Sequence, residues 1–404
     1  MRTLLVTDNF PPQLGGIARL LADFCAAQPS GEIVVLAPSG TPGRPFSRHA
    51  RRMAREHDTT LAYPVVRMVH PGNTGNDLVT LLALGHAAFR TVAACRRHGC
   101  GLVLFGKLWP LALAGPVLRR FGIPYAVYCY GNEVLKPLGG RARRWRLNAL
   151  MHAERVITIS GYMVEKITAM GVPPERVVKI QPKVEGALPP GLPDPEIIKW
   201  EEGLKGKKVL LSVGRLVERK GFDRVIEAMP AVLAAHPDAV YVILGDGPDR
   251  RRLELLAKGL KLGRAVRFAG AKASTEPYYQ ACDVFIMPSR ADEASGDVEG
   301  FGIVFLEANR HGRPVIGGNS GGIPDAVADG VSGLLVDPES PAAIAAAVNR
   351  LFSEPEYAEE LGRKGAERVR AEFSIGRYAQ EYREKVIEPL RRGEHPPAPA
   401  EGGC

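Results

Sequence analysis

The chain has 404 residues, of which 45% are hydrophobic and 24% charged, the make-up of a soluble globular protein with room for two or three domains. No apolar run reaches the eighteen or so residues of a membrane span. Thr3-Leu-Leu-Val6 follows the first two residues directly, without the long apolar core of a signal peptide, so the cytosol is the expected compartment. Six cysteines are scattered (Cys25, Cys95, Cys100, Cys129, Cys282, Cys404), with no CxxC and no Cys/His cluster at zinc spacing, which reads as reduced thiols and argues against a metal role. The net charge of +9 is uneven: residues 1–190 hold 24 Lys and Arg against 11 Asp and Glu, or +13, and the remainder holds −4. A basic first half suits an anionic lipid surface, a phosphorylated acceptor or nucleic acid, or is a solvated basic surface.

In chain order, strand Thr3–Thr7 runs into Asp8-Asn-Phe-Pro-Pro-Gln-Leu-Gly15-Gly16 and a helix from Ile17 to Ala27. Backbone amides at such a strand–glycine–helix junction can meet a phosphate, although most Gly-Gly pairs are only turns. It is not GxGxxG, which gives dinucleotide binding little support. Strand Glu32–Leu36 follows. Residues 40–62, rich in Arg and Pro, read as a loop or a short basic amphipathic helix. Strand Val65–Val69, a long helix over Asp77–Arg97 and strand Leu102–Phe105 continue the alternation. Ile123–Tyr130 is a strand ending in Tyr130-Gly-Asn132-Glu133. A basic helix carrying one tryptophan, Gly139–Leu150, either lies on an anionic membrane surface or is simply exposed. Strand Val156–Ser160, helix Gly161–Met170 and strand Val177–Gln181 complete the first unit.

The Pro-rich residues 182–198 read as a linker. The alternation then restarts with strands at Lys208–Val213, Val240–Leu244, Val266–Phe268, Val284–Met287 and about Pro314–Ile316. Helices are expected at Phe222–Ala235, Asp249–Lys258, Thr275–Cys282, Pro341–Phe352, Ala358–Phe373 and Ile375–Arg391. Two runs of alternating strand and helix predict an α/β protein with two doubly wound, Rossmann-like domains, parallel sheets and a cleft between them. The expected division is residues 1–190, residues 191–374, a closing helix over 375–392, and a disordered tail over 393–404.

One stretch organises the second half: Glu299-Gly-Phe-Gly-Ile-Val-Phe-Leu-Glu307, a loop leading into a helix after a strand. Were both glutamates helical they would be roughly 12 Å apart in rise, whereas paired glycosidase carboxylates lie about 5–9.5 Å apart. Two separate hydrogen-bonding tasks along an extended ligand fit better than an acid/base pair. The plain alternative is an amphipathic helix with Phe301, Val304 and Phe305 in the core. Earlier, Ser212-Val-Gly214-Arg215-Leu-Val-Glu-Arg-Lys220-Gly221 places a guanidinium and an ammonium on one loop, a pair that suits a departing diphosphate or is two surface cations. Gly245-Asp-Gly-Pro248, Ser320-Gly-Gly-Ile-Pro-Asp325 and Asp329-Gly-Val-Ser-Gly-Leu-Leu-Val336 read as further glycine turns.

The ordered set Gly15-Gly16, Gly214-Arg215-Leu216 with Lys220-Gly221, Gly245-Asp246-Gly247, Glu299 with Glu307, Gly321-Gly-Ile-Pro324 and Asp329-Gly330 with Gly333-Leu334 resembles the retaining GT-B glycosyltransferases of family four, the "group 1" family. The likeness spans the chain apart from its tail and is strongest over 207–340. It implies that Arg215 and Lys220 hold the diphosphate of a nucleotide-sugar donor, beside Gly214 and Gly245. Glu299 and the backbone of Phe301, Gly302 and Ile303 would hold the transferred sugar. Glu307 would accept from the ribose hydroxyls, and Gly15 and Gly16 would reach the β-phosphate as the cleft closes. Tyr130, where many members have His, would face the sugar with Asn132, and Glu133 would orient the acceptor. The family needs neither metal nor other cofactor, and the sequence has no DxD-type cluster beyond the loop residues Asp292-Glu293.

The resulting expectation is a retaining hexosyltransferase using a UDP- or GDP-sugar, with a lean to GDP-mannose. The departing phosphate itself takes the acceptor's proton in a front-face reaction. The acceptor is a hydroxyl compound, lipid-linked or anionic, reached from the inner face of a membrane. The rival readings are a GT-B epimerase or phosphorylase, a non-catalytic nucleotide-sugar binder, and a nucleic-acid binder. The last is disfavoured because Trp145 is the sole tryptophan among the basic runs.

Overall fold

A computed structural model describes residues 1–13, 15–39, 47–68 and 77–395. The chain divides into two compact units, Met1–Lys183 together with the chain from Ile375 onward, and Val184–Ser374.

The first unit is built on seven parallel strands: β1 (Thr3–Val6), β2 (Ile33–Pro38), β3 (Val65–Met68), β4 (Leu102–Phe105), β5 (Tyr125–Cys129), β6 (Arg155–Thr158) and β7 (Val177–Lys179), in the order β3-β2-β1-β4-β5-β6-β7. The sequence explains who sits where. The inner strands β1, β2, β4, β5 and β6 are buried at every residue, because helices cover both faces. The edge strands β3 and β7 are only half-buried or exposed over most of their length. The order reverses between β1 and β4, so the loops after these two strands open the crevice where ligands of such sheets bind.

The second unit repeats the plan with β8 (Lys208–Val213), β9 (Ala239–Leu244), β10 (Val266–Gly270), β11 (Val284–Met287), β12 (Val315–Gly318) and β13 (Gly333–Val336), ordered β10-β9-β8-β11-β12-β13 and parallel throughout. Here the reversal falls between β8 and β11, paired at Val284 with Leu210 and Phe285 with Leu211. The loop carrying Arg215 and Lys220 and the loop carrying Glu299 therefore leave adjacent strands at the same end of the sheet.

The segment after Ser374 packs in the first unit. Tyr378 and Tyr382 meet Phe24 edge-on, with ring centroids 5.8 and 5.0 Å apart. The Tyr382 hydroxyl lies 3.2 Å from Thr3 Oγ1.

Several sequence expectations change. The glycine turn over 329–336 ends in the edge strand β13, whose short Gly-Leu-Leu-Val run pairs with β12 from Val315 to Gly318. The supposed linker over 182–198 is structured at both ends. Lys183 is 1% exposed and pairs with Glu381 at 2.5 Å, while Asp194 caps a helix over Pro195–Glu201. Proline content misleads there because one Pro serves at a helix's first position. A helical segment, Leu111–Ala114 with Gly115–Arg120, lies between β4 and β5 where the pattern singled out none. The basic stretch after residue 47 is a helix, Arg48–Asp58, and the closing helix contains a π turn over Arg383–Ile387. Residues 40–46, Val69 at the end of the expected third strand, and the tail from Pro396 lie outside the described residues.

Candidate active site

In the second unit the crevice end of the sheet gathers charge. The turn after β8 is a short 3-10 helix, Glu218–Lys220. Lys220 Nζ donates to Glu299 Oε2 at 2.5 Å, and Arg219 Nη1 donates to the same oxygen at 2.6 Å. Arg219 Nε also pairs with Asp297 at 2.9 Å, so one guanidinium ties together two residues of the loop after β11. Burial opposes the charged carboxylate of Glu299, but the nearby Lys220 and Arg219 outweigh it and hold its pKa down at about 2. Lys220 uses one of three donors on Glu299 and keeps others for an anionic ligand. Arg215 is exposed and makes no side-chain hydrogen bond or ion pair among the described residues.

The stretch after Glu299 is built for backbone contact. Phe301 is buried against Phe373, with ring centroids 5.9 Å apart, so its ring belongs to the core. Gly302 is the N-cap of helix Ile303–Arg310 with φ 93° and ψ 65°, and no side chain caps that end. A β-carbon there would come within 2.6 Å of the Phe305 ring, so only glycine admits this entry to the helix. The uncapped amides and the positive dipole end suit an anion. The Gly322 amide donates to the Glu299 carbonyl at 2.9 Å, anchoring the loop to the turn after β12. At the ends of β8 and β9, Gly245 packs so closely on the Gly214 carbonyl that a side chain at 245 would collide with it.

Glu307 sits one turn into the helix, half-buried. Tyr279 Oη donates to its Oε2 at 2.9 Å. Tyr279 is fully buried and stacks on His311 with centroids 6.0 Å apart. His311 Nε2 lies 2.7 Å from Glu276, which also pairs with Arg310. Glu307 is thus aimed by a rigid chain of partners.

In the first unit, Gly15 is the N-cap of helix Gly16–Ala27, again with no side-chain cap, and both glycines are exposed. Lys107, after β4, lies 3.8 Å from Asp8, after β1. Tyr130 stacks on Tyr128, with centroids 5.5 Å apart and planes within 6°. Asn132 opens the short helix Asn132–Leu135. Glu133 does not reach outward: its Oε1 accepts from the Tyr130 amide at 2.5 Å, which makes it a positioning residue for the Tyr130-Gly131 turn. Burial raises its pKa above the ordinary value, against the backbone amides and the charge of Lys107.

The structure thus brings Lys220, Glu299, Phe301, Gly302, Ile303 and Glu307 to one end of one sheet, with Gly214, Arg215 and Gly245 on the adjoining loops. Gly15, Gly16, Tyr130, Asn132 and Glu133 belong to the first unit. The sequence reading missed Arg219, Asp297, Tyr279 and Lys107. Arg219 stands beside Lys220, but only the 3-10 turn shows that both point to one carboxylate. Tyr279 lies 28 residues before its partner and carries no local signal. A cavity of about 590 Å³ in the second unit lies at the opposite end of the sheet, lined by Lys208, Asp283, Arg313 and Pro314 among others, and takes no part in this cluster. Among the described residues no group of three or more His, Cys, Asp or Glu is placed to hold a metal ion, and no helix is long and apolar enough to cross a membrane.

Two units, each a doubly wound parallel sheet, the second with cations and glycine turns at its crevice end, follow the plan of a GT-B glycosyltransferase. Family models agree along the chain: "Glycosyl transferases group 1" matches residues 194–368, and "Glycosyl transferase 4-like domain" matches 15–182. The chain belongs to the group 1 glycosyltransferases of family four and is a hexosyltransferase dependent on a nucleoside diphosphate sugar. It is 34% identical over 372 residues, 90% of this chain and 92% of the relative, to the GDP-mannose-dependent alpha-(1-6)-phosphatidylinositol monomannoside mannosyltransferase of Mycolicibacterium smegmatis. It is 28% identical over 99% of its length to 97% of a glycogen synthase of Mycobacterium tuberculosis. Its fold matches that of Anabaena Alr3699/HepE, solved in complex with UDP, with a TM-score of 0.77 at 19% identity, covering 96% of this chain and 100% of that one. The epimerase alternative has no support in these likenesses.

Proposed function

We propose that the chain transfers mannose from GDP-mannose, with retention, to a hydroxyl of a lipid-linked acceptor with an anionic head group, working as a peripheral protein at the inner face of a membrane. The observation that carries the donor assignment is the convergence of Lys220 and Arg219 on Glu299 at the point where the second sheet reverses. The mannosyl and lipid parts are supported by the mycobacterial relative's name and by the +13 charge of residues 1–190.

In this reading Lys220 and Arg215 take the diphosphate. The amides of Phe301, Gly302 and Ile303 hold the sugar end, with Glu299 held ionised to accept from sugar hydroxyls. Glu307 accepts from the ribose, and the Gly15-Gly16 amides supply further donors to phosphate. Tyr130 and Asn132 face the sugar and acceptor, on a turn that Glu133 fixes. The acceptor oxygen bonds to the anomeric carbon as that carbon's bond to the phosphate oxygen breaks. The acceptor's proton passes to that departing oxygen, and GDP leaves. The protein's part is position and charge stabilisation, worth most where donors are already in place, and no metal or other cofactor is assigned a role.

The test is a thermal-shift panel of GDP, UDP and ADP with their sugars, since a ligand that binds only the native state raises its stability. GDP-mannose should give the largest shift. A larger UDP-sugar shift would replace the donor, and no shift with any nucleotide would overturn the reading.

A further inference from the structure

The first unit carries an apolar groove of about 410 Å³ on its outer helical layer, lined by Leu84, Gly85, Ala88, Val117, Trp145 and Asn148 among others. Helix Asp77–His98, the segment Leu111–Arg120 and helix Gly140–Met151 all contribute lining residues. Large apolar side chains on these elements stand in solvent, Leu82 65% exposed, Phe89 69%, Val117 49% and Trp145 56%, as does Phe121 at 57%, the residue that ends the Leu111–Arg120 segment. Leu82, Gly85 and Phe89 recur at helical spacing and form one stripe. Clustered exposed apolar groups of this size mark an interaction surface.

Charge identifies the partner. On helix Gly140–Met151, Arg141, Arg144, Trp145 and Asn148 share a face by their spacing of three and four, and the helix has no acidic residue. Arg141 and Arg144 are exposed, as is Arg120 beside Phe121 on the neighbouring segment. Apolar side chains bordered by unneutralised guanidinium groups, with an amphipathic indole between them, match the boundary between the acyl chains and the anionic head groups of a bilayer.

We propose that this face, Leu82, Phe89, Val117, Phe121 and Trp145 with Arg141 and Arg144, is where the protein docks on an anionic membrane, with Trp145 entering the head-group boundary. The proposal deepens the peripheral-membrane part of the proposed function. It gives the contact to the grooved face rather than to the other basic helix, Arg48–Asp58.

The test is co-sedimentation of the full chain with phosphatidylcholine vesicles containing or lacking about 30% phosphatidylglycerol. Binding should need the anionic lipid, and Arg141→Glu/Arg144→Glu should lower partitioning at least about tenfold, since each basic residue near such a surface contributes about a factor of five. Val117→Glu should do the same, whereas Arg51→Glu/Arg52→Glu should matter less. With Trp109→Phe/Trp200→Phe as background, lipids brominated in the acyl chain should quench Trp145. Unquenched Trp145, or vesicle binding lost only in the Arg51/Arg52 variant, would overturn the proposal. So would a dimer in sedimentation equilibrium that Val117→Glu dissociates, because a second copy would then own the face. GDP thermal shifts on the same variants keep the two readings apart: unaltered shifts with unaltered vesicle binding sink the docking face and leave the donor site standing.

Discussion

Glu299 in the second unit and Glu133 in the first are both half-buried carboxylates at the crevice ends of parallel sheets, yet their pKa values move in opposite directions. Both pay desolvation. At Glu299 two cations, Lys220 at 2.5 Å and Arg219 at 2.6 Å, more than offset it. At Glu133 the answer comes chiefly from backbone amides, with the charge of Lys107 helping less, and burial wins. The contrast separates two kinds of work. The second unit concentrates full charge at the crevice end, where the proposed donor site would hold and release a diphosphate. The first offers uncapped amides at Gly15-Gly16 and a stacked phenol at Tyr130, groups that shape and orient.

The largest effect should come from breaking the charged side of this comparison. Lys220→Ala should lower turnover about 10²–10³-fold, the usual result of deleting one group that stabilises transition-state charge, while circular dichroism shows an unchanged fold. Lys220→Arg, which keeps the charge, should recover part of it. Near-normal turnover of Lys220→Ala would remove this residue from the site.

The same cluster governs acid stability. Because the folded pKa of Glu299 is about 2, below the ordinary 4.5, its contribution is fully present above about pH 4.5 and is lost as pH falls toward 2. The loss should amount to about 3 kcal/mol at most, from the size of the shift. Glu299→Gln should flatten that segment of the stability curve measured by urea unfolding at pH 2 to 5. An equally steep curve in the variant would place the acid sensitivity in other pairs, such as Glu276 with Arg310 and His311.

How legible this was depended on distance along the chain. Inner strands such as Val284–Met287 are continuous apolar runs, and helix Phe222–Ala235 follows a glycine and keeps its period, so both could be read directly. Edge strand β13 could not, because Gly333-Leu-Leu-Val336 becomes a strand only by pairing with β12. Lys183 hid in a Pro-rich stretch, and its burial depends on Glu381, 198 residues away. In the site, Lys220, Glu299, Gly302 and Glu307 announce themselves through local pattern. Arg219 and Tyr279 do not, since each acts through a partner that only the fold supplies.

A milder effect tests that second class. Tyr279→Phe removes one hydroxyl from a fully buried ring and leaves the stacking on His311 in place. The freed Glu307 should raise the donor KM about tenfold, the order of one hydrogen bond to a charged group, with kcat nearly unchanged. That split follows if Glu307 binds donor equally in the ground and transition states. A fall in kcat with KM constant would instead put Glu307 in the chemistry.

The smallest effect belongs to Glu133. Its folded pKa lies above the ordinary value, so the folded state binds the proton more tightly and the native state loses stability as pH rises through the carboxylate range. Glu133→Gln keeps an oxygen to accept from the Tyr130 amide and removes the charge that burial disfavours. Its melting temperature should therefore equal or exceed that of the parent by a degree or two at pH 7.5, the shift expected for a few tenths of a kcal/mol in a domain of this size, and the advantage should vanish near pH 4. If the substitution also leaves the donor KM unchanged, the residue shapes the turn and nothing more. A large loss of stability at pH 7.5 would mean that the ionised carboxylate is what the turn requires, and the contrast with Glu299 would then be one of degree rather than of kind.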